Sequence, residues 1–275
     1  MNLTKEWVNS NLPKRPANSH KGTFGKVLSV AGSRAYPGAA YLACAACYRV
    51  GAGLVALAAD PMVEVIVSRR LPEVTFLSLN EVIERKDKYD VLLLGPGLGQ
   101  KPTAVKLLKH LFEGSVCKMV IDGDGLNILS KVNSWWERLD GACVLTPHPG
   151  EMARLTGLSV DEIQKNREQV VVDYARKWGQ VVVLKGASTV IASPCGEVLK
   201  SLFANPVLAT AGTGDVLAGA IAGIIAQQVA PYAAAGVGVY LHGEAGEMLR
   251  KKIGDAGVLA SDILPLLPLV IKNLI

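Results

Sequence analysis

A layered α/β fold, with a mostly parallel sheet covered by helices on both faces, is predicted by three features of this 275-residue chain. Short, nearly continuous apolar runs alternate with longer helical stretches, as expected of strands buried on both faces. Hydrophobic residues make up 50% of the chain but aromatic ones only 5%, so Ala, Val, Leu and Gly fill the core and favour close packing of helix on sheet. Most of the runs end in Gly, Asp or Pro, the residues that punctuate strand-to-helix turns.

In chain order, strands are expected at Lys26–Ala31, Leu54–Ala58, Val91–Leu94, Met119–Asp122, Cys143–Thr146 and Val181–Leu184, all β-branched or Leu-rich. Helices are expected at Ala39–Val50, Pro61–Arg70, Pro102–Phe112, Asp161–Trp178, Gly214–Gln227 and Tyr232–Lys252, and the alternation predicts right-handed crossovers. After Leu184 the pattern changes. Thr189–Ser193 and Glu197–Ser201 flank the turn Pro194-Cys195-Gly196, which predicts an antiparallel hairpin near residues 189–201. With no repeat, low-complexity tract or Ser/Pro-rich linker, residues 1–275 read as a single domain.

Composition excludes several classes of function. The net charge of +5 is spread over pairs such as Arg69-Arg70 and Lys251-Lys252; without a basic stripe, nucleic acid binding is not expected. A mild positive balance still attracts a polyanionic small molecule. Residues 1–21 hold no apolar stretch of signal-peptide length, and the apolar span Val216–Leu241 is broken by Gln227, Gln228 and Pro231. A cytoplasmic protein with no membrane segment is expected. Cys44, Cys47, Cys117, Cys143 and Cys195 have no paired metal-ligand spacing, and Cys44-x-x-Cys47 falls within a small-residue helix, so reduced thiols are expected.

In such a sheet, ligands collect beyond the carboxyl ends of the strands. Ala211-Gly212-Thr213-Gly214-Asp215 puts a glycine turn and a carboxylate at the first turn of an apolar helix. Unpaired N–H groups and the helix dipole favour an anion there, with Asp215 beside it as a base. That suits phosphoryl transfer, although an N-capped helix after a glycine turn uses the same residues. Gly95-Pro96-Gly97-Leu98-Gly99 either brings bare backbone close to a ligand or makes a tight turn. Asp122-Gly123-Asp124-Gly125-Leu126-Asn127 offers oxygen ligands suited to Mg²⁺ or its water shell beside phosphates. Neither glycine cluster has the G-x-G-x-x-G order with an acidic residue about twenty positions on, so a Rossmann reading fails.

Pro147-His148-Pro149-Gly150-Glu151 holds an imidazole and a carboxylate on a rigid loop. His148 could bind substrate or transfer a proton and Glu151 could hold a metal-bound water, or the two could simply start a helix. Lys185-Gly186-Ala187-Ser188-Thr189 supplies a cation, a glycine and two hydroxyls where a nucleotide's phosphates or ribose could lie; a solvated hairpin entry would look similar. His20-Lys21-Gly22, Gly32-Ser33 and Tyr36-Pro37-Gly38-Ala39-Ala40 complete the set.

Taken in order, these loops resemble the ADP- or ATP-dependent NAD(P)H-hydrate dehydratases of the ribokinase-like superfamily. The match runs through HKGTFGKVLSVAGS, YPGAAYLA, GAGLV, GPGLG, DGDGLN, TPHPGE, LKGAST and ATAGTGDVLAG, from His20 to Gly219. AGTGD alone indicates a ribokinase-like enzyme, whereas its combination with GPGLG, DGDGLN and TPHPGE looks like the repair enzyme more than a vitamin kinase. The resemblance implies a three-layer ribokinase-like fold. It also implies that reduced nicotinamide cofactors whose ring has taken up water are restored, the ring hydroxyl being phosphorylated by ADP or ATP and phosphate then expelled.

The same resemblance implies roles for individual residues. Asp215 would be the base, and the backbone of Ala211, Gly212, Thr213 and Gly214 would cradle the transferring phosphoryl group. Lys185, Gly186, Ala187, Ser188, Thr189 and Gly214 would hold the nucleotide, while Ala39 or Ala40, Gly99, His148 and Asp215 would meet (S)-NADHX or NADPHX. Asn127 and Glu151 match superfamily positions near Mg²⁺ and phosphate, acting through water. Many relatives carry a fused epimerase domain; about twenty residues precede the matched region here, so a separate epimerase is expected. A homo-oligomer is expected too, a tetramer by resemblance to relatives, with the apolar run Ile263–Ile271 available to cover a neighbouring subunit. Two other functions use the same loops: a kinase of a small alcohol or vitamin precursor, which stops at the phosphorylated product, and a nucleotide sensor without turnover, against which an intact Asp215 argues.

Overall fold

The computed structural model describes residues 1–112, 117–139 and 142–275. Within them, β1 (Lys26–Val30), β2 (Leu54–Ala58), β3 (Thr75–Leu77), β4 (Val91–Leu94), β5 (Lys118–Ile121), β6 (Cys143–Leu145), β7 (Val181–Leu184), β8 (Val190–Ala192) and β9 (Val198–Lys200) form one sheet. Its order is β3-β2-β1-β4-β5-β6-β7-β8-β9. Strands β1 to β7 run parallel, and β8 and β9 turn back as the expected antiparallel hairpin.

The helices are α1 (Lys5–Asn11), α2 (Pro37–Arg49), α3 (Pro61–Arg70), α4 (Val82–Arg85), α5 (Pro102–Phe112), α6 (Asp124–Leu129) and α7 (Pro149–Thr156). They continue with α8 (Val160–Lys165), α9 (Arg167–Trp178), α10 (Thr213–Ala226), α11 (Pro231–Ile253), α12 (Ala260–Ile263) and α13 (Leu267–Leu274). Alternate strand residues feed two cores. Val91, Leu93 and Val120 pack with the small residues of α2, α10 and α11, while Leu92, Leu94 and Ile121 pack with α5, α6 and α9. Burial on both faces explains why these strands read as unbroken apolar runs.

The position of the α10 start depends on small residues. A Cβ on Gly219 would lie 2.2 Å from the Ala43 carbonyl oxygen, so only glycine lets α10 seat this closely against α2. The first turn of α10, with Asp215, is thereby fixed over the ends of the central strands.

Three expectations are corrected. The helix expected over Asp161–Trp178 is two helices, α8 and α9, broken at Asn166, whose φ of −127° and ψ of 36° leave the helical region. Strand β3 and helices α1, α4, α6, α12 and α13 were not expected; they are short, and α6 lies within a segment read as a ligand loop, while α7 is the helix start that Pro149 and Glu151 allow. The apolar run Ile263–Ile271 is largely spent inside the chain, with Ile263, Leu264, Leu267 and Val270 buried in the core that contains α11.

Candidate active site

The ends of β5, β6 and β7 gather a compact set of charges. Asp122, just after β5, is buried and accepts a hydrogen bond of 2.7 Å from Thr146 Oγ1, just after β6. Lys185, just after β7, places Nζ 2.5 Å from Asp122 Oδ1 and 3.7 Å from Glu151 Oε2. The side chains of Lys185, Asp122 and Glu151 are only 17%, 4% and 6% exposed, so the attractions are little screened. Burial would pull the Lys185 ammonium down, but Asp122, Glu151 and Asp215 together carry it above the ordinary lysine value. Burial also pushes Glu151 well up, against the pull of Lys185.

His148 is the N-cap of α7. Its Nδ1 accepts from the Gly150 amide at 3.0 Å, and its own amide donates to Glu151 Oε2 at 2.8 Å, giving a reciprocal capping box. The capping and ligand-binding readings of TPHPGE are thus compatible. With Nδ1 accepting, a neutral imidazole carries its proton on Nε2, 3.5 Å from Glu151 Oε1. His148 in this tautomer is a hydrogen-bond donor at the cleft rim and not a base.

Asp215 occupies the first turn of α10, whose N-cap Gly212 has φ +93°, the left-handed region. The first amides of a helix lack intrahelical acceptors and face the positive end of its dipole. A Cβ on Gly214 would stand 3.4 Å from Lys185 Nζ and 4.0 Å from Asp122 Oδ2, so glycine keeps this turn open to the charge cluster. Burial, then the charge of Asp122, raises the Asp215 carboxyl to about 7, with Lys185 opposing.

Beside Gly214 lies a cleft of about 630 Å³ that takes in His148, Lys185, Gly186, Ala187, Thr189 and Thr213. This is a typical size for a cofactor-scale ligand. Ser188 sits on the same exposed turn with φ +57°, held by its amide's 3.1 Å bond to the Phe203 carbonyl. Four contributors were not legible in the sequence. Phe203 and Leu208 give the cleft an apolar wall, and buried His242 lines its floor with Nε2 unpartnered. Arg167, from the start of α9, donates to the Leu184 and Lys185 carbonyls at 2.9 and 3.2 Å, which fixes the Lys185 loop.

The N-terminal residues meet at the ends of β1 and β4. Gly32 donates to the Pro96 carbonyl at 2.8 Å, and Ser33 Oγ to the Gly97 carbonyl at 2.8 Å. Gly99 has φ +75°, and its amide is held by Asp124 Oδ2 at 2.8 Å. Ala40 is fully buried, facing Gly32. Ala39 is partly exposed beside Gly97, so of the two it is Ala39 that presents a surface.

The oxygens that the sequence offers to Mg²⁺ are committed elsewhere. Asp122 is paired with Lys185, Asp124 holds the Gly99 amide, and Asn127 Oδ1 accepts from Arg154 at 2.8 Å. Both oxygens of Glu151 face donors. Among the described residues no group of three His, Cys, Asp or Glu could hold a metal ion. A protein-only Mg²⁺ cage does not fit this donor set; any ion must bring phosphate oxygens and water as its main ligands. The cysteines Cys44 and Cys47 are buried in α2, and burial pushes the Cys44 thiol up to about 12.

The sequence profile of the NAD(P)H-hydrate dehydratase family matches residues 27–269. The bifunctional NAD(P)H-hydrate repair enzyme of Moorella thermoacetica is 42% identical over 99% of this chain and 54% of its own length. The chain thus spans about half the length of this relative. The crystal structure of the ADP/ATP-dependent NAD(P)H-hydrate dehydratase from Bacillus subtilis, co-crystallised with ATP/Mg²⁺, superposes with a TM-score of 0.91 at 34% identity, covering 99% of this chain and 98% of that one. A ribokinase-like superfamily protein from Enterococcus faecalis superposes with a TM-score of 0.86 at 32% identity, covering 98% and 95% of the two chains. The layered sheet, its closing hairpin and these matches agree on a ribokinase-like architecture, and the chain belongs to the NAD(P)H-hydrate dehydratase family.

Proposed function

We propose that this chain dehydrates (S)-NAD(P)H-hydrate to NAD(P)H, with ADP or ATP as phosphoryl donor. The observation that carries the proposal is the placement of Asp215: a carboxyl group titrating near neutrality, on a helix start open to anions, beside buried Lys185 and a nucleotide-sized cleft.

Hydroxide leaves a ring carbon poorly, and phosphate leaves well. In the proposed sequence Asp215 accepts the ring hydroxyl proton while that oxygen attacks the terminal phosphorus, breaking the bond to the nucleotide's bridging oxygen. A base with a pKa near the working pH is best matched to such a transfer, worth typically about 10²–10⁴-fold. The amides of Gly212, Thr213 and Gly214 and the Lys185 ammonium offset the charge on the transferring group. The carbon–oxygen bond then breaks toward phosphate as the ring nitrogen's electrons move in, and loss of a neighbouring ring proton restores the double bond. Gly186, Ala187, Ser188 and Thr189 bind the nucleotide; Ala39, Gly99 and the Nε2–H of His148 orient the hydrated ring. Asn127 and Glu151 would hold the waters of a Mg²⁺ ion bound with the nucleotide, and that ion would supply positive charge against the phosphates.

A cytoplasmic homo-oligomer, a tetramer, is part of this reading. It is supported by the lack, among the described residues, of a helix able to cross a membrane and by exposed Met62, Val65 and Ile66 along α3. A separate epimerase would supply the reactive stereoisomer.

The test incubates the protein with hydrated NADH and ADP or ATP, following near-ultraviolet absorbance and free phosphate. Both should rise in equal amounts. A stable phosphorylated product without recovered absorbance would instead identify a kinase of a small alcohol.

A further inference from the structure

His242, on α11, has no task in the proposed reaction, yet it lines the cleft beside Gly214 and is only 8% exposed. Its Nε2 is buried and has no hydrogen-bond partner among the described residues. Buried polar side chains are almost always paired, so an orphan facing a cleft points to a ligand.

The rest of the ring fixes what that atom can do. A hydrogen bond joins the imidazole to the backbone of Thr213, at the start of α10, and favours the protonated ring. Since Nε2 is unpartnered, the bond is made by Nδ1, which therefore donates to the Thr213 carbonyl. Burial, with the Lys185 charge, outweighs this bond and brings the imidazole down to about 4, so the ring is neutral near pH 7. A neutral imidazole that donates from Nδ1 has a bare lone pair on Nε2. The atom accepts a hydrogen bond and cannot give one.

A phosphate presents oxygens that repel this lone pair, so it is not the partner. The Thr213 carbonyl also points along α10, away from the amides that meet the transferring phosphoryl group. Around His242 the cleft is apolar, with Leu217 of α10, Val239 of α11, and Phe203 and Leu208 from the segment after β9. A Cβ on Gly243 would lie 2.2 Å from the Phe203 ring, so this glycine lets the ring close onto α11, where Tyr240 meets it edge-on at 5.4 Å. Flat apolar walls around a single acceptor suit a heteroaromatic base that carries an N–H donor.

We infer that His242 Nε2 accepts a hydrogen bond from the exocyclic amino group of adenine and so selects adenine over hypoxanthine or guanine nucleotides as phosphoryl donors. In the other two bases that position is a carbonyl oxygen, whose lone pairs would face the one on Nε2. The inference rests on the proposed function, since it takes this cleft as the seat of the nucleotide.

The experiment is calorimetry, without turnover, of ADP, IDP, 2′-deoxy-ADP and purine riboside diphosphate, which lacks the amino group. Wild type should bind IDP and purine riboside diphosphate at least about tenfold more weakly than ADP. His242→Leu should weaken ADP about tenfold and purine riboside diphosphate less than about threefold, which erases the discrimination. Equal affinity of wild type for ADP and purine riboside diphosphate overturns the inference, as does an equal loss of both in the variant, which marks a structural role. A discrimination against 2′-deoxy-ADP that disappears in the variant also overturns it, because His242 would then read the ribose. Should the variant not fold, the histidine ring nitrogens of wild type decide: with four histidines in the chain, the ¹⁵N signal of His242 Nε2 should move on addition of ADP and stay put with purine riboside diphosphate. An unmoved signal with ADP overturns the inference. A protein that shows these preferences without restoring hydrated NADH sustains it, and the proposed function fails instead.

Discussion

At the ends of β5 to β7, Asp122, Glu151 and Lys185 are drawn out of water and paired within 4 Å, whereas at the ends of β1 to β4 the charges of Arg34, Lys101 and Lys106 stay at the surface around a larger cleft. The first arrangement shifts proton affinities, because burial and close like charges act on groups that solvent no longer screens. The second leaves exposed positive charges that favour the approach of an anion. The two regions lie along one end of the sheet and differ in burial, so they should respond differently to substitution.

The largest effect should come from Lys185→Met. It leaves Asp122, Glu151 and Asp215 together without their shared cation, and breaking such a buried set typically costs about 3–5 kcal/mol. Urea unfolding at pH 8 should show a loss of that order, shrinking toward pH 5 as Glu151 and Asp215, both raised to about 7, take up protons. A loss below about 1 kcal/mol at pH 8 would mean that solvent reaches the cluster. By contrast, a single Lys106→Met change at the outer cleft should leave the unfolding midpoint within experimental error.

Gly214→Val should act on binding more than on folding. The added Cβ would stand 3.4 Å from Lys185 Nζ, in the space assigned to the nucleotide's phosphate, so ADP affinity should fall about tenfold or more, roughly 1.4 kcal/mol. Fluorescence titration with a labelled ADP analogue checks it; wild-type affinity in a folded variant would place the phosphate elsewhere.

The smallest effect concerns pH. Asp215, raised to about 7, must be ionised to accept a proton, so kcat/KM should fall about tenfold per unit as pH drops below that value. Glu151 is one of the charges holding Asp215 up. Glu151→Gln should therefore move the acid limb downward by less than about one unit, a shared property of interacting sites. An upward move would show that Glu151 does not repel the Asp215 charge.

The sheet was legible because β1, β2, β4, β5, β6 and β7 are buried on both faces and leave continuous apolar runs, and the hairpin because the turn Pro194-Cys195-Gly196 separates two short segments of strand-forming residues. Strand β3 escaped notice: Thr75-Phe76-Leu77 is an edge strand of three residues, too short for a period to show. The break at Asn166 was hidden because α8 and α9 bury Ile163, Val170 and Val171 in one core, so the apolar spacing continues across it. At the site, glycine-flanked Asp215 and proline-flanked His148 stood out by their neighbours. The pairing of Lys185 with Asp122 spans 63 positions, and nothing local marks it. It also changes the meaning of DGDGLN, whose carboxylates hold a lysine and the Gly99 amide instead of a bare ion. Arg167 and His242 gave no signal because each lies inside an ordinary helical pattern.

The most direct measurement is turnover and ADP affinity of Asp215→Asn, side by side with wild type. Asparagine keeps the shape of the helix start and removes its basicity, so nucleotide binding should stay within about threefold while kcat falls by at least about 10²-fold. Wild-type turnover in that variant would contradict the assignment of Asp215 as the base.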